Sequence, residues 1–187
     1  IGAFGLTEPN AGSDAGNTQT TAILDGDNFI INGQKAFCTN AGVADTIIIT
    51  AKLIENNEEK GISAFIVESN TKGLSLGKPE KKMGWRGSDT RSVFFENMII
   101  PKENILGSPS KGFQQFLNTL VGGRITIGAL SLGNAQGAYQ LALNYSKERE
   151  AFGKTINSFQ SLQFKLADME TNLQSARTFL RQAAWKL

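Results

Sequence analysis

The residues best suited to binding a ligand lie near the start of the chain, in the segment Phe4–Asp14, which reads FGLTEPNAGSD. Its glycines allow the backbone to approach a ligand closely, and the hydroxyls of Thr7 and Ser13 can donate or accept hydrogen bonds. Pro9 fixes its own φ and favours an extended Glu8. Such a segment suits the flat surface of a planar polar ligand. The alternative is an ordinary surface turn, where Asn, Gly, Ser and Asp are common.

Three further segments strengthen the first interpretation. They are Ile30–Gly42 (IINGQKAFCTNAG), Met83–Arg91 (MGWRGSDTR) and Lys147–Lys154 (KEREAFGK). In this order the four segments resemble the acyl-CoA dehydrogenase family, flavoenzymes that desaturate acyl thioesters. The resemblance extends from about Gly5 to the last residue. It implies FAD as cofactor, an acyl-CoA substrate, electron-transfer flavoprotein or a similar acceptor, and a homotetramer built as a dimer of dimers.

The resemblance also implies roles for residues of the first segment. Phe4, Leu6 and Thr7 would line the flavin ring, and Thr7 would offer both backbone and hydroxyl contacts. Gly12 and Ser13 would lie near the pyrophosphate and the acyl-CoA, so that Ser13 counts as a contact of both cofactor and substrate.

In the second segment, Phe37 takes the position of a family aromatic residue, commonly Trp, that packs against the ring. Thr39 would hydrogen-bond to flavin N5, and Cys38 between them is included among the cofactor contacts. Other interpretations remain open, because Phe37 could be a core residue of a strand, and Thr39 with Asn40 could open a turn. Taken singly, the residues favour these alternatives; taken together in this order, they favour flavin.

The fourth segment carries an arginine, Arg149, that matches a family residue reaching the FAD diphosphate of a neighbouring subunit. Phe152 and Gln160 correspond to positions near the adenosine half. Arg149 could instead be a solvated cation at a helix C-terminus. Gln160 lies three residues after Asn157, a good N-cap candidate, and so could complete a capping box.

The substrate region departs from the family pattern. Arg124 matches an arginine near acyl-CoA, but Val121 stands where many members have an aspartate, and Ala151 replaces a residue that is often Thr. The catalytic glutamate of most members lies in a late YEGT-like segment that this sequence lacks. A minority carry it just before the arginine matched to Arg124, where this chain has Gly123. No catalytic residue is therefore predicted within the chain.

The amino-acid composition excludes several classes of function. The 187 residues include no histidine and one cysteine, so Ser–His–Asp catalysis, Cys–His catalysis and internal disulfides are excluded. A net charge of +2 indicates neither a nucleic-acid nor a membrane-surface partner, and no metal site is predicted. The sequence contains neither of the two usual glycine-rich nucleotide-binding motifs, the dinucleotide-binding GxGxxG and the P-loop GxxxxGK followed by Ser or Thr. The resemblance implies a cytoplasmic protein in a bacterium and a mitochondrial matrix protein in a eukaryote. The basic loop around Met83–Arg91 is interpreted as solvated.

The elements that would position these residues change type along the chain. Short β-branched stretches fill the first hundred residues, and Asp25–Asp27 predicts a hairpin between two of them. From about Ser110 the apolar residues recur at helical spacing. The predicted fold is α+β, an antiparallel β-barrel or sandwich followed by two long antiparallel helices of an incomplete bundle. The predicted domains are residues 1–108 and 109–187.

Gly128, Gly133 and Gly137 interrupt the first helix and predict a closely packed neighbour. The second helical pattern continues to Leu187 without a stop signal. We expect the chain to be a piece of a longer protein that is inactive by itself. Two alternatives remain, an acyl-CoA oxidase-like flavoenzyme and a non-catalytic β-barrel binding module with a helical oligomerisation arm.

Overall fold

The computed structural model describes residues 1–187. It forms two compact units, Ile1–Leu117 and Asn118–Leu187. The division falls inside the first long helix, whereas the sequence places the domain boundary at residue 108, and that boundary stays a prediction.

The first unit is built on seven strands and the second on two long helices joined by a small hairpin. The strands are β1 (Gly2–Gly5), β2 (Thr21–Asp25), β3 (Asn28–Thr39), β4 (Thr46–Glu55), β5 (Glu58–Glu68), β6 (Leu74–Leu76) and β7 (Thr90–Pro101). The helices and the hairpin strands are α1 (Gly112–Glu148), β8 (Glu150–Ala151), β9 (Lys154–Thr155) and α2 (Gln160–Lys186), with 3-10 turns at Lys102–Asn104 and Ile156–Ser158.

The seven strands form one mixed sheet. β3 runs antiparallel to β2 and β7, β6 runs antiparallel to β7, and β5 runs antiparallel to β4. β1 and β2, however, both pair in parallel with β4. The expectation of a purely antiparallel sheet is therefore wrong at β4. Hairpin signals reveal only local antiparallel pairs, whereas a parallel pair joins segments far apart in sequence.

The hairpin predicted at Asp25–Asp27 is confirmed. The register pairs Asp25 with Asn28, which leaves Gly26 and Asp27 as the loop. Gly26 adopts φ of +58°, a left-handed conformation that a glycine takes without a steric penalty.

The core of the first unit comes from the inward-facing residues of the strands. Phe29 and Phe65 meet edge to face, with ring centroids 5.0 Å apart. The other large, fully buried apolar side chains are Ile31, Ile47, Ile49, Leu53, Val67, Val93, Met98 and Ile100. Each stabilises the fold by about 1.5–3 kcal/mol relative to an exposed position. This core fixes which face of each strand is left for a ligand.

In the second unit, α1 and α2 come into close contact at one glycine. A Cβ on Gly128 would lie 2.9 Å from Leu180 Cδ1, whereas Gly133 and Gly137 have no atom within 4 Å of that position. The prediction that all three glycines mark close packing therefore holds only for Gly128. Arg177 adds a hydrogen bond to Gln136 Oε1 at 2.6 Å.

The predicted helix start at Asn157 is wrong. α2 begins at Gln160 with Phe159 as its N-cap residue, and no side chain caps it. Asn157 instead lies in the preceding 3-10 turn, where its Oδ1 accepts a hydrogen bond from the Thr155 hydroxyl at 2.8 Å. No helix of the chain combines the length and the apolar character that a membrane span requires.

Candidate functional site

The first two segments predicted to bind a ligand, Phe4–Asp14 and Ile30–Gly42, lie side by side. The Ala36 N–H donates a hydrogen bond to the Thr7 carbonyl at 2.8 Å. At Gly5, a Cβ would lie 2.8 Å from Lys35 Cγ and 3.1 Å from Cys38 Sγ. Glycine is thus the residue that lets the first segment approach β3 this closely.

The exposed side chains of the two segments point away from the core. Along β1, Ala3 and Gly5 are buried and Phe4 is 49% exposed. Along the end of β3, Cys38 is buried, whereas Phe37 is 64% exposed and Thr39 is also exposed. Both strands therefore present ring or hydroxyl side chains on their outer faces.

Phe37 owes its position to a break in the β3 ladder. The pairing of β3 with β7 shifts between Lys35 and Cys38, and Phe37 has φ of +56°. Lys35 and Ala36 are consecutive and both buried, so the inside–outside alternation is interrupted there. Bulges of this kind redirect a side chain. The strand-core alternative for Phe37 is therefore wrong, because its ring is mostly exposed and is not among the core residues.

Cys38 differs from the expectation for a cofactor contact. Its side chain is 1% exposed and belongs to the hydrophobic core. Burial raises the pKa of the thiol to about 11, although the charge of Lys35 acts in the opposite direction. Because Cys38 follows the outward-facing Phe37, strand alternation turns its thiol inward. Only its backbone remains for a ligand on the exposed face.

The first segment offers open backbone and hydroxyls beyond a tight turn. Glu8 and Ala11 exchange two backbone hydrogen bonds, each of 3.1 Å. Gly12 and Ser13 follow and are exposed, and no atom lies within 4 Å of a Cβ built on Gly12. Neither the Ser13 hydroxyl nor that of the half-buried Thr7 makes a hydrogen bond within the chain. Both can therefore bind a ligand.

Phe4 is partly engaged by the protein itself. Its ring meets that of Phe116, in the first turns of α1, edge to face at a centroid distance of 5.7 Å. Leu6, two residues further along the chain, is half-buried. Both side chains can contribute apolar surface to a ligand.

A buried ion pair behind this surface was missed by the sequence analysis. The Lys35 ammonium lies 2.7 Å from Glu8 Oε1, and the two side chains are 0% and 3% exposed. Lys35 also donates to the hydroxyls of Thr18 at 3.0 Å and Thr50 at 3.2 Å, and to the Leu6 carbonyl at 3.4 Å. Lys35 and Glu8 thereby join the two segments from within.

The Glu8 carboxylate is satisfied from several directions. It accepts hydrogen bonds from the Thr18 hydroxyl, the Gln19 N–H at 2.5 Å and the Thr20 N–H at 3.1 Å. Burial acts to raise the pKa of Glu8, but the hydrogen bonds outweigh it and lower the pKa to about 2. Burial lowers the pKa of Lys35, and Glu8 opposes that shift. The pair gives no sequence signal, because a lone Glu and a lone Lys usually indicate solvated positions.

The end of the Met83–Arg91 loop is also more than a solvated loop. The Asp89 carboxylate accepts hydrogen bonds from the Gly42 N–H at 2.7 Å and from Arg91 Nε at 2.8 Å. Its backbone carbonyl accepts one from the Asn40 N–H at 2.9 Å. We call Asp89 and Arg91 the turn clamp. The start of the loop fits the solvated interpretation, since Met83 is fully exposed.

The second unit holds the remaining predicted site residues. Arg149 is exposed directly after α1, and its carbonyl accepts a hydrogen bond from the Ile156 N–H at 2.8 Å. Phe152 lies at the tip of the β8–β9 hairpin with φ of +54°, is 94% exposed and meets Phe159 edge to face at 6.1 Å. Gln160 begins α2 and is exposed. The hairpin thus brings these three predicted residues into one region.

Arg124 does not belong to that cluster. It is exposed on α1, and the helical rise places it about 37 Å along the axis from Arg149. A ligand that contacts Arg124 is therefore distinct from one that contacts the hairpin of the same chain, unless it is very long.

Comparisons with known proteins agree with the order of the two units. The acyl-CoA dehydrogenase middle domain matches residues 3–98, and the acyl-CoA dehydrogenase C-terminal domain matches residues 110–187. The short-chain specific acyl-CoA dehydrogenase of Clostridium acetobutylicum is 51% identical over 185 residues, which cover 99% of this chain and 49% of that protein. The caffeyl-CoA reductase-Etf complex subunit CarC of Acetobacterium woodii is 46% identical over 182 residues, 97% of this chain and 48% of that protein.

A solved structure gives the same result. Butyryl-CoA dehydrogenase from Megasphaera elsdenii superposes with a TM-score of 0.93 at 46% identity, covering all of this chain and 49% of that one. The chain thus spans about half the length of the relatives it matches. Two family domains in sequence, high identity and a shared fold lead to one conclusion: the chain belongs to the acyl-CoA dehydrogenase family.

Proposed function

We propose that this chain is the FAD- and acyl-CoA-binding core of an acyl-CoA dehydrogenase that desaturates an acyl thioester between its α and β carbons. The observation that carries the proposal is the 2.8 Å hydrogen bond from the Ala36 N–H to the Thr7 carbonyl. It holds the two segments that would bind flavin beside each other, with Phe37, Thr7 and Thr39 within a few residues of this hydrogen bond.

The residues present fit FAD. Phe37 offers a mostly exposed ring for the apolar face of the flavin, and Thr7 and Thr39 offer hydroxyls without partners in the chain. Gly12 and Ser13 offer open backbone that would suit the phosphates. The chemistry that FAD supplies when bound is acceptance of a hydride at N5. The chain itself would orient the ring and exclude water from one face.

Further residues complete the proposed binding surface. Ser13 and Arg124 would contact acyl-CoA. As the family resemblance implies, Arg149 would contact the FAD diphosphate of another copy, and Phe152 and Gln160 would lie near the adenosine half. Their exposure about one hairpin supports this proposal. The parent would then be a homotetramer that passes electrons to electron-transfer flavoprotein or a similar acceptor. One relative is named as a subunit of a reductase-Etf complex, which supports this partner.

The fold and the state of the isolated chain are part of the proposal. We propose that the sheet curls into the barrel-like middle domain and that α1 and α2 run antiparallel, as the facing pairs Gly122–Leu187 and Gly128–Leu180 suggest. The chain offers no general base, since Gly123 occupies the early family position. By itself it would be inactive.

The test uses the full-length parent and the 187-residue chain in parallel. We expect the purified parent to show the visible absorbance of oxidised flavin and to lose it when an acyl-CoA is added without oxygen. The isolated chain should give no turnover with acyl-CoAs and an electron acceptor. A parent that never binds FAD would refute the proposal and favour the non-catalytic binding module. Steady turnover by the isolated chain would refute its inactivity.

A second candidate reaction runs in the opposite direction. The relative from Acetobacterium woodii is named a caffeyl-CoA reductase, so reduction of an unsaturated thioester by reduced flavin is also compatible with the same surface. Anaerobic mixing of the reduced parent with saturated and unsaturated acyl-CoAs separates the two directions. Consumption of dioxygen during turnover would instead identify an oxidase.

A further inference from the structure

The turn after Thr39 is held in an unusual backbone conformation. Asn40 has φ of +64°, and its carbonyl accepts a hydrogen bond from the Val43 N–H at 3.0 Å. Asparagine tolerates this region better than most residues, but the turn still requires support from its surroundings. The support comes from the turn clamp, Asp89 and Arg91.

The turn clamp packs directly on the turn. A Cβ on Gly42 would lie 2.4 Å from Arg91 Nε and 2.7 Å from Asp89 Oδ2. The register of β3 and β7 pairs Thr39 with Thr90, so the two clamp residues flank the partner of Thr39 on the neighbouring strand. Thr39 is therefore fixed by the strand ladder on one side and by the clamped turn on the other.

We propose that Asp89 and Arg91 are positioning residues that hold the Thr39 hydroxyl in place for the flavin. The inference rests on the proposed function, because Thr39 matters only if flavin binds there. The Thr39 side chain is exposed and has no hydrogen bond within the chain, so nothing but its backbone fixes its direction. That backbone is anchored at Asn40 by its N–H hydrogen bond to the main-chain carbonyl of Asp89, and at Gly42 by its N–H hydrogen bond to the Asp89 carboxylate, which depends on the side chain.

The charge of Asp89 strengthens the clamp. Burial acts to raise the pKa of this carboxyl, but hydrogen bonds from Arg91 and the Gly42 N–H, with the nearby charges of Arg91 and Lys82, lower it overall. Asp89 is thus a carboxylate at neutral pH, and its two hydrogen bonds are charge-assisted. Asp89→Ala removes both, whereas Asp89→Asn keeps the size and loses the charge.

The experiment is a double-mutant cycle on FAD affinity in the full-length parent. The variants are Asp89→Ala, Thr39→Val and their combination, with Asp89→Asn as the conservative change. Glu59→Ala, which removes a surface ion pair with Lys52, is the control. Amide hydrogen exchange of residues 39–43, measured with and without FAD, reports the order of the turn independently of activity.

We expect Asp89→Ala to weaken FAD binding about tenfold, the scale of one charge-assisted hydrogen bond, and Asp89→Asn to weaken it less. In the Thr39→Val background the Asp89→Ala effect should largely vanish, because both changes remove the same contact. Exchange at residues 40–42 should rise in Asp89→Ala without FAD.

Two outcomes would overturn the inference. If Thr39→Val weakens FAD binding but Asp89→Ala leaves it within twofold, the clamp does not position Thr39. If the two effects are fully additive, Asp89 acts elsewhere, for example on stability alone. In both cases the proposed function stands, whereas a wild-type parent that binds no flavin would overturn the proposed function and this inference together.

Discussion

At the scale of single residues, the buried pair of Glu8 and Lys35 is the feature on which the candidate site depends. Lys35 precedes Ala36, which hydrogen-bonds to Thr7, and Glu8 follows Thr7. The pair therefore fixes both segments directly behind the proposed flavin surface. Two buried charges are tolerated here because the carboxylate and the ammonium each have several further hydrogen-bond partners.

We predict that Lys35→Met destabilises the fold by about 3–5 kcal/mol, because it leaves the Glu8 carboxylate buried without its counter-charge. The double variant Glu8→Gln with Lys35→Met should recover part of that loss, since no charge is then buried. Chemical denaturation of the single and double variants gives the free energies of unfolding. A double variant no more stable than Lys35→Met would contradict the assignment of the loss to an unpaired charge.

The same pair predicts how stability depends on pH. The pKa of Glu8 is about 2 in the folded chain, below the ordinary value of 4.5. A lowered pKa means that the unfolded chain binds the proton more tightly, so this contribution is present above pH 4.5 and is lost as the pH falls towards 2. Its size is about 3 kcal/mol at neutral pH.

Glu8→Gln should therefore lower stability most near neutral pH, and its difference from the wild type should shrink below pH 4.5. Denaturation curves at several pH values measure this difference. Glu59→Gln serves as the control, because it removes a half-exposed carboxylate that is paired on the surface with Lys52. A Glu8→Gln effect that is constant from pH 3 to pH 7 would argue against the shifted carboxyl.

At the scale of secondary structure, the glycines of α1 offer a comparison within one helix. We predict that Gly128→Ala stabilises the chain less than Gly133→Ala does, because its Cβ would lie 2.9 Å from Leu180 Cδ1, which must turn aside and offsets part of the helical gain of alanine. Gly133→Ala should stabilise the 187-residue chain by up to about 1 kcal/mol, since alanine favours a helix and the space there is open. Denaturation of both variants measures the contrast, and equal effects would contradict the packing described for Gly128.

The strand pairings show which parts of the fold can be predicted from the sequence. The hairpin at Asp25–Asp27 is confirmed because its signal is local. The parallel pairing of β1 and β2 with β4 is not local and was missed. The same reason explains the missed pair of Glu8 and Lys35, which lie 27 residues apart. Contacts between distant residues leave no trace in the pattern of either segment alone.

Within the candidate site, too, the sequence predicts some features and not others. The resemblance predicts Phe37, Cys38 and Thr39 together as cofactor contacts, which stays a prediction; the structure turns Phe37 and Thr39 outward and the Cys38 thiol towards the core. The bulge after Lys35 decides which of these consecutive residues face outward, and nothing in the residue types predicts where it falls. The prediction that α2 begins at Asn157 is wrong because this residue lies in a 3-10 turn that precedes the helix.

At the scale of the whole molecule, α1 and α2 leave a large apolar surface uncovered. A groove of about 950 Å³ lies between them, with Leu132, Tyr139, Leu173 and Phe179 among its lining residues. Phe179 is 70% exposed. Surfaces of this kind in soluble proteins are usually covered by further structure. The chain spans about half the length of the relatives it matches.

The β8–β9 hairpin carries the last prediction, which concerns assembly. In the proposed full-length oligomer, Arg149→Ala should weaken FAD binding more than Gln160→Ala, because only the arginine offers a charge to the diphosphate. A bidentate contact of that kind contributes about 1.5–3 kcal/mol, which corresponds to roughly a 10- to 150-fold change in affinity. Flavin fluorescence titration of the apoprotein measures it.

Arg149→Lys separates charge from geometry. If the guanidinium binds the diphosphate with two parallel hydrogen bonds, lysine should restore only part of the affinity. Mixing Arg149→Ala subunits with subunits altered at Thr39 then tests whether the arginine acts across an interface. Such a mixture should regain some normal sites if each site combines Thr39 of one subunit with Arg149 of another. Equal and negligible effects of Arg149→Ala and Gln160→Ala would count against any contribution of the hairpin to cofactor binding.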